Sequence, residues 1–184
     1  MADLIQYLRQ EPANAFKQLV ERFAQKLWGI ARQYVHDRHI AEDVVQNVFL
    51  EFYRGEKYRG INTEGQLEAF LVRMTIRRAQ DAWRRMKRNL ATSVEHLADF
   101  TADKPASEQT VDIESALLQL RPEYRLILHL KYVEDLSIAE IARVLDGAPE
   151  NTVKSHLHRA RNELRKILQG SFDEGSDLPA SSAT

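Results

Sequence analysis

Apolar residues recur at three- and four-residue intervals along most of the chain, which places them on one face of an α-helix. No sustained run alternates polar and apolar residues, as a half-buried strand would. Because 43% of the 184 residues are hydrophobic, and only seven are glycine and five proline, general disorder is not expected. The sequence therefore predicts an all-α fold.

Breaks in this periodicity divide the chain. We predict a first helical domain over residues 1–90, a flexible acidic linker over 91–106, a second helical domain over 107–170 and a disordered tail over 171–184. The linker loses the apolar period and carries an excess of acids, as connectors between domains do. The expected architecture is two small helical domains, the second a helix-turn-helix domain.

Three helices are predicted in the first domain, over about 13–36, over about 40–54 and after Thr63. The intervening loop, residues 55–65, contains three glycines and no apolar period. Thr63 and Gln66 have the spacing of a capping box, so we expect the third helix to start there.

Four helices are predicted in the second domain, over about 107–120, 122–133 and 137–145, with a last one ending near residue 168. Ser137 and Glu140 form a second capping box. The last two helices are joined by a turn that contains Gly147 and Pro149, which is helix-turn-helix organisation.

The net charge of −1 hides a segregation of charge along the chain. Residues 65–90 carry seven basic side chains and two acids, a balance of +5, whereas residues 91–115 carry six acids and one lysine, a balance of −5. Electrostatic recognition is local on a scale of about 10 Å, so only the first of these segments is suited to bind phosphates.

Several classes of protein are disfavoured. The chain has no cysteine, which excludes disulfides, thiol catalysis and thiolate-bound zinc. Charged residues interrupt every apolar stretch before the roughly 20 residues that a membrane helix needs, and no secretory signal is seen, so we expect no membrane insertion and a cytoplasmic location. His156 and His158 diverge on a helix without a third ligand, and no set of catalytic groups stands out. No metal, cofactor or enzymatic activity is expected.

The last helix has one apolar face and one face rich in hydrogen-bond donors. Such donors suit phosphates and base edges in a major groove, and because a helix-turn-helix precedes this helix, DNA binding is favoured over a merely solvated surface. The donor face consists of Asn151, Thr152, Lys154, Ser155, His158, Arg159, Arg161 and Arg165.

Three segments resemble one family in the order expected for it. SIAEIARVLDGAPENTVKSHLHRARNELRKIL is similar to the carboxyl-terminal domain of extracytoplasmic-function sigma factors, which binds the −35 promoter element. DRHIAEDVVQNVFLEFYR resembles the helix of that family that binds core RNA polymerase. LEAFLVRMTIRRAQDAWRRMKR resembles the following helix, which contacts melted −10 DNA. The resemblance covers roughly residues 13–168 and implies a sigma factor, with core RNA polymerase and promoter DNA as partners.

The resemblance also implies roles for individual residues. The surface that docks on polymerase would include or overlie Asp37, Glu42, Asp43, Gln46 and Phe49. Without the ordered motifs, a solvated helix surface would be the preferred interpretation of Glu42 and Asp43, and the motif order reverses that preference. The −10 contacts would be Tyr58, Arg59, Asn62, Thr63, Arg77, Arg84, Arg85, Lys87 and Arg88. The donor face of the last helix would bind the −35 element. Trp83 lies in the apolar stripe, which favours core packing over base stacking.

The chain departs from the family where Ile40 and Asn47 replace common acids, so its polymerase-binding helix is less acidic than usual. We therefore hypothesise that phosphorylation of Thr63 by an activating kinase restores negative charge and switches the factor on. An N-cap or base-contacting role for Thr63 is the alternative. An anti-sigma factor is the other expected kind of regulator.

Other readings of the same sequence are a sigma-mimicking interaction protein and a helix-turn-helix regulator that acts without polymerase. The mimic would not need the basic cluster, and the plain regulator would leave the amino-terminal motifs without a purpose. A nucleic-acid-processing enzyme ranks last.

Overall fold

The computed structural model describes residues 4–92 and 113–173. Within those ranges the chain forms eight α-helices, one 3-10 helix and no strand, so the all-α prediction is confirmed. The α-helices are α1 (Leu4–Gln10), α2 (Pro12–Arg32), α3 (Arg38–Arg54), α4 (Glu64–Thr92), α5 (Ile113–Gln119), α6 (Pro122–Tyr132), α7 (Ile138–Val144) and α8 (Glu150–Asp173), and the 3-10 helix spans Lys57–Gly60. The predictions for most of the linker and of the tail concern residues outside the described ranges.

The first helix, α1, was missed in the sequence. Its apolar residues Leu4, Ile5 and Leu8 are all buried, but they cover only two turns, too few for a clear period. Pro12 then starts α2 and disfavours helical conformation at the preceding residue, Glu11, whose φ of −134° and ψ of 66° separate the two helices.

Two predicted helix ends were wrong. Helix α2 ends at Arg32 rather than near residue 36, and the next helix begins once Asp37 accepts a hydrogen bond from the Ile40 amide at 3.0 Å. Helix α8 continues through Gly170 to Asp173. A glycine in a helix interior costs only about 1 kcal/mol relative to alanine, so it does not by itself end a long amphipathic helix.

Helices α2, α3 and α4 pack together as the core of the first domain, with α1 against α2. Phe52, Leu27, Leu67 and Leu71 are fully buried there. The heptad-like stripes predicted from the sequence supply these residues, because positions three and four apart share one helix face.

The second domain places α7 and α8 against α6. Asp146 and Gly147 lie in the turn between α7 and α8 and have φ values of 59° and 74°. Two successive left-handed residues turn the chain sharply, and glycine adopts this conformation without steric cost. The predicted helix-turn-helix is present.

The capping box predicted at the start of α7 is confirmed. Ser137 Oγ accepts a hydrogen bond from the Glu140 amide at 3.2 Å, and Glu140 Oε2 accepts one from the Ser137 amide at 2.8 Å. The same contacts lower the pKa of Glu140, chiefly through the Ser137 hydroxyl.

Replacing Ser137 with alanine should lower the free energy of unfolding of the second domain by about 1 kcal/mol, because one amide at the start of α7 loses its acceptor. Chemical denaturation followed by circular dichroism measures the loss. Ser137→Asp keeps an acceptor at the cap and serves as the control. Equal losses in the two variants would show that the cap contributes nothing.

The two domains contact each other, through α2 with α6 and α4 with α7. Their buried apolar residues form one continuous cluster. None of the described helices is both long and apolar enough to span a bilayer.

Candidate nucleic-acid interface

Helix α8 presents a continuous exposed donor face. Val153, Leu157 and Ala160 are buried on its opposite side, which fixes the rotation of the helix about its axis. All eight predicted −35 residues are exposed as a result. Within this face, Asn162 Nδ2 lies 2.9 Å from His158 Nε2. Because the amide nitrogen can only donate, this geometry leaves the Nδ1 hydrogen of His158 available for a DNA acceptor.

The loop between α3 and α4 is more ordered than its sequence indicates. Glu56 takes a left-handed φ of 47° and leads into the 3-10 helix. Tyr58, one of the predicted −10 contacts, is only 6% exposed, and its ring centroid lies 6.1 Å from that of Phe52. The ring therefore packs in the core of the first domain and holds the 3-10 helix against it.

A residue that the sequence analysis missed holds the same loop. Arg9, from α1, donates through Nη2 to the Ile61 carbonyl oxygen at 2.7 Å and to Asn62 Oδ1 at 2.8 Å. Arg59 pairs with Glu56. No local signal points to Arg9, since its partners lie more than 50 positions away. Together with Tyr58, Arg9 gives the loop a defined shape before any ligand binds.

Thr63 is the N-cap of α4. Its Oγ1 accepts a hydrogen bond from the Gln66 amide at 3.2 Å. Gln66 Oε1 accepts in turn from the amide of Asn62, at 2.9 Å, one residue earlier than in a standard capping box. Both Asn62 and Thr63 are exposed, so the predicted helix start is confirmed and both side chains are accessible.

The loop borders a cleft of about 640 Å³. One wall is the loop and the start of α4, with Asn62, Thr63 and Arg73. The other wall comes from the second domain and includes Glu140 and Arg143 of α7. The loop of the first domain that is predicted to bind the −10 element thus faces the helix-turn-helix of the second domain.

The basic cluster of α4 is partly neutralised. Arg77 donates to both carboxylate oxygens of Asp146, at 2.6 and 3.3 Å, and this hydrogen bond raises its pKa. Arg78 pairs with Glu51, and Arg84 lies 3.3 Å from Asp81. The net charge of +5 counted over residues 65–90 therefore overstates the positive charge that is available to DNA.

The carboxyl-terminal end of α4 carries the accessible part of that charge. Arg84, Arg85, Lys87 and Arg88 are exposed. Trp83 is half-buried and packs against the core, while Lys87 Nζ lies 5.4 Å from its ring centroid. Trp83 thus packs this end of the helix against the core, as expected for a core residue.

The proposed polymerase surface lies on α3. Asp37 caps this helix and is exposed, as are Asp43 and Gln46, whereas Glu42 is half-buried and pairs with Arg38 at 2.8 Å. Phe49 is buried beside Glu42 and Gln46. A groove of about 500 Å³ runs alongside, between α2 and α3, and is lined by Trp28, Val45, Gln46 and Phe49 among others. The floor of this groove is apolar, and its edges are polar and acidic.

Both domains match families of known proteins. Residues 19–89 match the family Sigma-70 region 2, and residues 110–164 match Sigma-70, region 4. The ECF RNA polymerase sigma factor SigW of Bacillus subtilis is 27% identical over 180 residues, which cover 90% of this chain and 95% of SigW. The ECF RNA polymerase sigma factor SigL of Mycobacterium tuberculosis is 32% identical over 162 residues, which cover 85% of this chain and 90% of SigL.

A solved structure shares the fold. The sigma factor RpoE of Bartonella quintana, crystallised with the anti-sigma factor NepR, aligns with a TM-score of 0.65 and 24% sequence identity over 84% of this chain and 96% of that chain.

Proposed function

The chain belongs to the ECF family of RNA polymerase sigma factors, and we propose that it binds core RNA polymerase, recognises −35 and −10 promoter elements and promotes DNA melting. The observation that carries the proposal is the donor face of α8, on which all eight predicted −35 residues are exposed on one side of a helix-turn-helix. A helix of this kind enters a major groove, contacts phosphates on its flanks and reads base edges at its centre.

The −10 role is supported by the loop and by the end of α4. Asn62 and Thr63 are exposed on a loop that Arg9 and Tyr58 hold in place. Preorganised polar groups of this kind can capture an unpaired base and offset an unstacking cost of a few kcal/mol. Arg84, Arg85, Lys87 and Arg88 would hold the strand backbone beside them. Because Tyr58 is buried, base stacking by its ring would require the loop to rearrange.

The polymerase role is supported by the groove beside α3. Exposed Gln46 and half-buried Glu42 border this groove beside buried Phe49, and exposed Asp43 lies on the side of α3 towards α4, a combination that suits a basic amphipathic helix or coiled coil as partner. Binding in this way requires no catalytic group on the chain, and we propose a cytoplasmic, non-enzymatic factor.

The decisive experiment is in vitro transcription with purified core RNA polymerase on a promoter library, with and without this protein. Protein-dependent transcripts that share two upstream elements would support the proposal. Polymerase-independent binding to duplex DNA would favour the plain regulator. Binding to neither DNA nor polymerase would favour the sigma mimic.

The double variant Asp43→Ala/Gln46→Ala should weaken binding to core polymerase roughly ten-fold while leaving binding to a −35 duplex unchanged, since exposed polar contacts to a charged partner contribute on the order of 1 kcal/mol. Fluorescence anisotropy with labelled protein measures both affinities. Glu21→Ala, on the exposed side of α2, is the control. Unchanged polymerase affinity would remove α3 from the docking surface.

Phosphorylation of Thr63 remains our proposal for activation. The hydroxyl is exposed and lies at the N-terminus of a long helix, where a phosphate is stabilised by the helix dipole. Thr63→Asp should raise transcription relative to Thr63→Asn, because both residues cap the helix and only the first adds charge. Equal transcription and polymerase affinity in the two variants would reject the switch.

A further inference from the structure

The side chain of Asn62 is held in one orientation by an arginine of another helix. Arg9 Nη2 lies 2.8 Å from Asn62 Oδ1 and 2.7 Å from the carbonyl oxygen of Ile61. A guanidinium group can only donate hydrogen bonds, so the carboxamide atom that faces Arg9 must be the oxygen. The exposed carboxamide therefore presents its nitrogen, with two donor hydrogens, on the side away from Arg9.

Helix α1 is the element that places Arg9 beside the loop. Ile5 and Leu8 are buried in the core of the first domain, and α1 packs on both α2 and the 3-10 helix. Arg9 directly follows Leu8, so its side chain leaves the helix at the edge of the buried face. Ile61, whose carbonyl oxygen accepts from Arg9, is buried as well. An exposed arginine thus joins two segments that are both fixed by the core.

The neighbouring residue adds a second donor. Thr63 Oγ1 already accepts a hydrogen bond from the Gln66 amide, which leaves the hydroxyl hydrogen available to donate. Gln66 also holds the backbone here, because its Oε1 accepts from the Asn62 amide. The exposed tip of the loop therefore presents two adjacent side-chain donors on a backbone that is fixed from both sides.

Arg59, another predicted −10 contact, directs its donors elsewhere. Its Nη2 lies 2.9 Å from Glu56 Oε1, and its Nε lies 2.9 Å from Glu56 Oε2. This two-point pair uses the same edge of the guanidinium that would meet a base. Asn62 and Thr63 are therefore better placed than Arg59 to read a base at this loop.

The four bases differ in the edges that they offer to a pair of donors. Cytosine has two adjacent acceptors, N3 and O2, and guanine has two on its major-groove edge, O6 and N7. Along the edges of adenine and thymine, donors and acceptors alternate. Unpaired bases are read by hydrogen bonds to these edges. Two adjacent donors therefore fit cytosine or guanine.

We propose that Arg9 is a positioning residue for base recognition. By holding Asn62 Oδ1 it turns Nδ2 towards DNA, and the loop then selects a base with two adjacent acceptors. The inference rests on the proposed function, because it gives a base preference to the loop that captures an unpaired base. Arg9 itself does not touch the base. When Arg9 is removed, the carboxamide rotates, and its oxygen accepts from the amino group of adenine instead.

The test is transcription from a promoter library whose −10 region is randomised, with core polymerase and the full chain. Sequencing of the transcripts gives the base preference at each position. Asn62→Ala identifies the position that this side chain reads, because the preference is lost there. At that position the wild-type protein should favour cytosine or guanine over adenine and thymine roughly ten-fold, as for a good two-bond base contact. An Asn62→Ala variant that changes no position would overturn the inference.

Arg9→Met should reduce the preference at the same position to less than about three-fold and leave the other positions unchanged. Arg9→Lys should restore part of it, because an ammonium group also donates to Oδ1. The matched control is Arg22→Met, which removes an exposed arginine of α2 that holds Glu64 at 2.9 and 2.7 Å, beside the same loop. It should leave every preference unchanged. An equal loss of transcription from all sequences in Arg9→Met, with the preference retained, would show a merely structural role and overturn the inference.

A measurement without polymerase separates the two proposals. The side-chain amide signals of Asn62 in a nitrogen–proton correlation NMR spectrum can be identified with Asn62→Asp, and they should shift in Arg9→Met but not in Arg22→Met. Unshifted signals in Arg9→Met would overturn the inference whatever transcription shows. A wild-type protein that gives no polymerase-dependent transcripts would reject the proposed function. Transcripts whose base preference is the same in Arg9→Met as in the wild-type protein would reject only the role of Arg9.

Discussion

Replacing Arg125 with methionine is expected to lower the free energy of unfolding of the second domain by about 3 kcal/mol, the range seen when a buried charged hydrogen-bonding group is removed from its partners. All five N–H groups of the guanidinium have an acceptor. Nη1 donates to the carbonyl oxygens of Leu118 and Leu120. Nε and Nη2 both donate to the Gln33 carbonyl oxygen, and Nη2 also donates to His36 Nε2. Methionine fills a similar volume but leaves the carbonyl groups without this donor.

Burial lowers the pKa of Arg125 to about 10, so the side chain remains charged at neutral pH. Its charge is balanced by carbonyl dipoles and helix ends rather than by a directly bonded carboxylate. Lysine offers at most three donors from a single atom and cannot reach carbonyl groups on two sides. We therefore expect Arg125→Lys to recover only part of the loss.

Two probes distinguish the domains in this experiment. Both tryptophans of the chain, Trp28 and Trp83, belong to the first domain, whereas circular dichroism reports every helix. Urea unfolding of Arg125→Met should show an early loss of helix that precedes the change in tryptophan fluorescence. The control, Arg121→Met, removes an exposed arginine that lies 5.5 Å from the Tyr124 ring, and should cost less than about 1 kcal/mol. Similar losses in both variants would show that the buried donors contribute little.

Replacing Arg84, Arg85 and Lys87 together with alanine should weaken binding to a single-stranded −10 oligonucleotide roughly 100-fold at 0.1 M salt. Each phosphate contact contributes about 0.7 to the slope of log affinity against log salt for single strands. Loss of three contacts should therefore lower the slope by about 2. These side chains are exposed at the end of α4, and their removal leaves the buried face of the helix intact.

The single variants should differ from one another. Arg84 already lies 3.3 Å from Asp81, so part of its charge is neutralised before DNA binds, and Arg84→Ala should have a smaller effect than Arg85→Ala. Fluorescence anisotropy over a series of salt concentrations measures affinity and slope together. Lys17→Ala on α2 removes an exposed cation from a helix outside the −10 surface and is the control. A triple variant with wild-type salt dependence would place the single strand elsewhere.

The contact between domains also bears on the response to pH. Desolvation and the neighbouring charge of Arg125 lower the pKa of His36 to about 4, and burial lowers that of His129. Both histidines bind protons less readily in the folded protein than in water. Protonation between about pH 6.5 and 4 therefore weakens the contact between the domains, which is most stable above pH 6.5.

The helices and the exposed face of α8 could be predicted from the sequence because their causes are local. A helix places residues three and four positions apart on one face, so the apolar period alone determined which side of α8 is buried and left Thr152, Ser155 and Arg159 outside. The caps at Thr63 and Ser137 are equally local, since each joins residues three positions apart. The family resemblance rested on the same ordered segments.

Pairing across the fold could not be predicted in this way. The partners of Arg77 and Arg125, Asp146 and Gln33, lie 69 and 92 positions away, and no single-sequence period relates residues at such separations. The tertiary structure therefore decided that Tyr58 anchors its loop instead of facing a base, that Arg77 is already paired, and that the domains touch. Burial and charge pairing depend on which surfaces meet, and that is settled only when the helices pack.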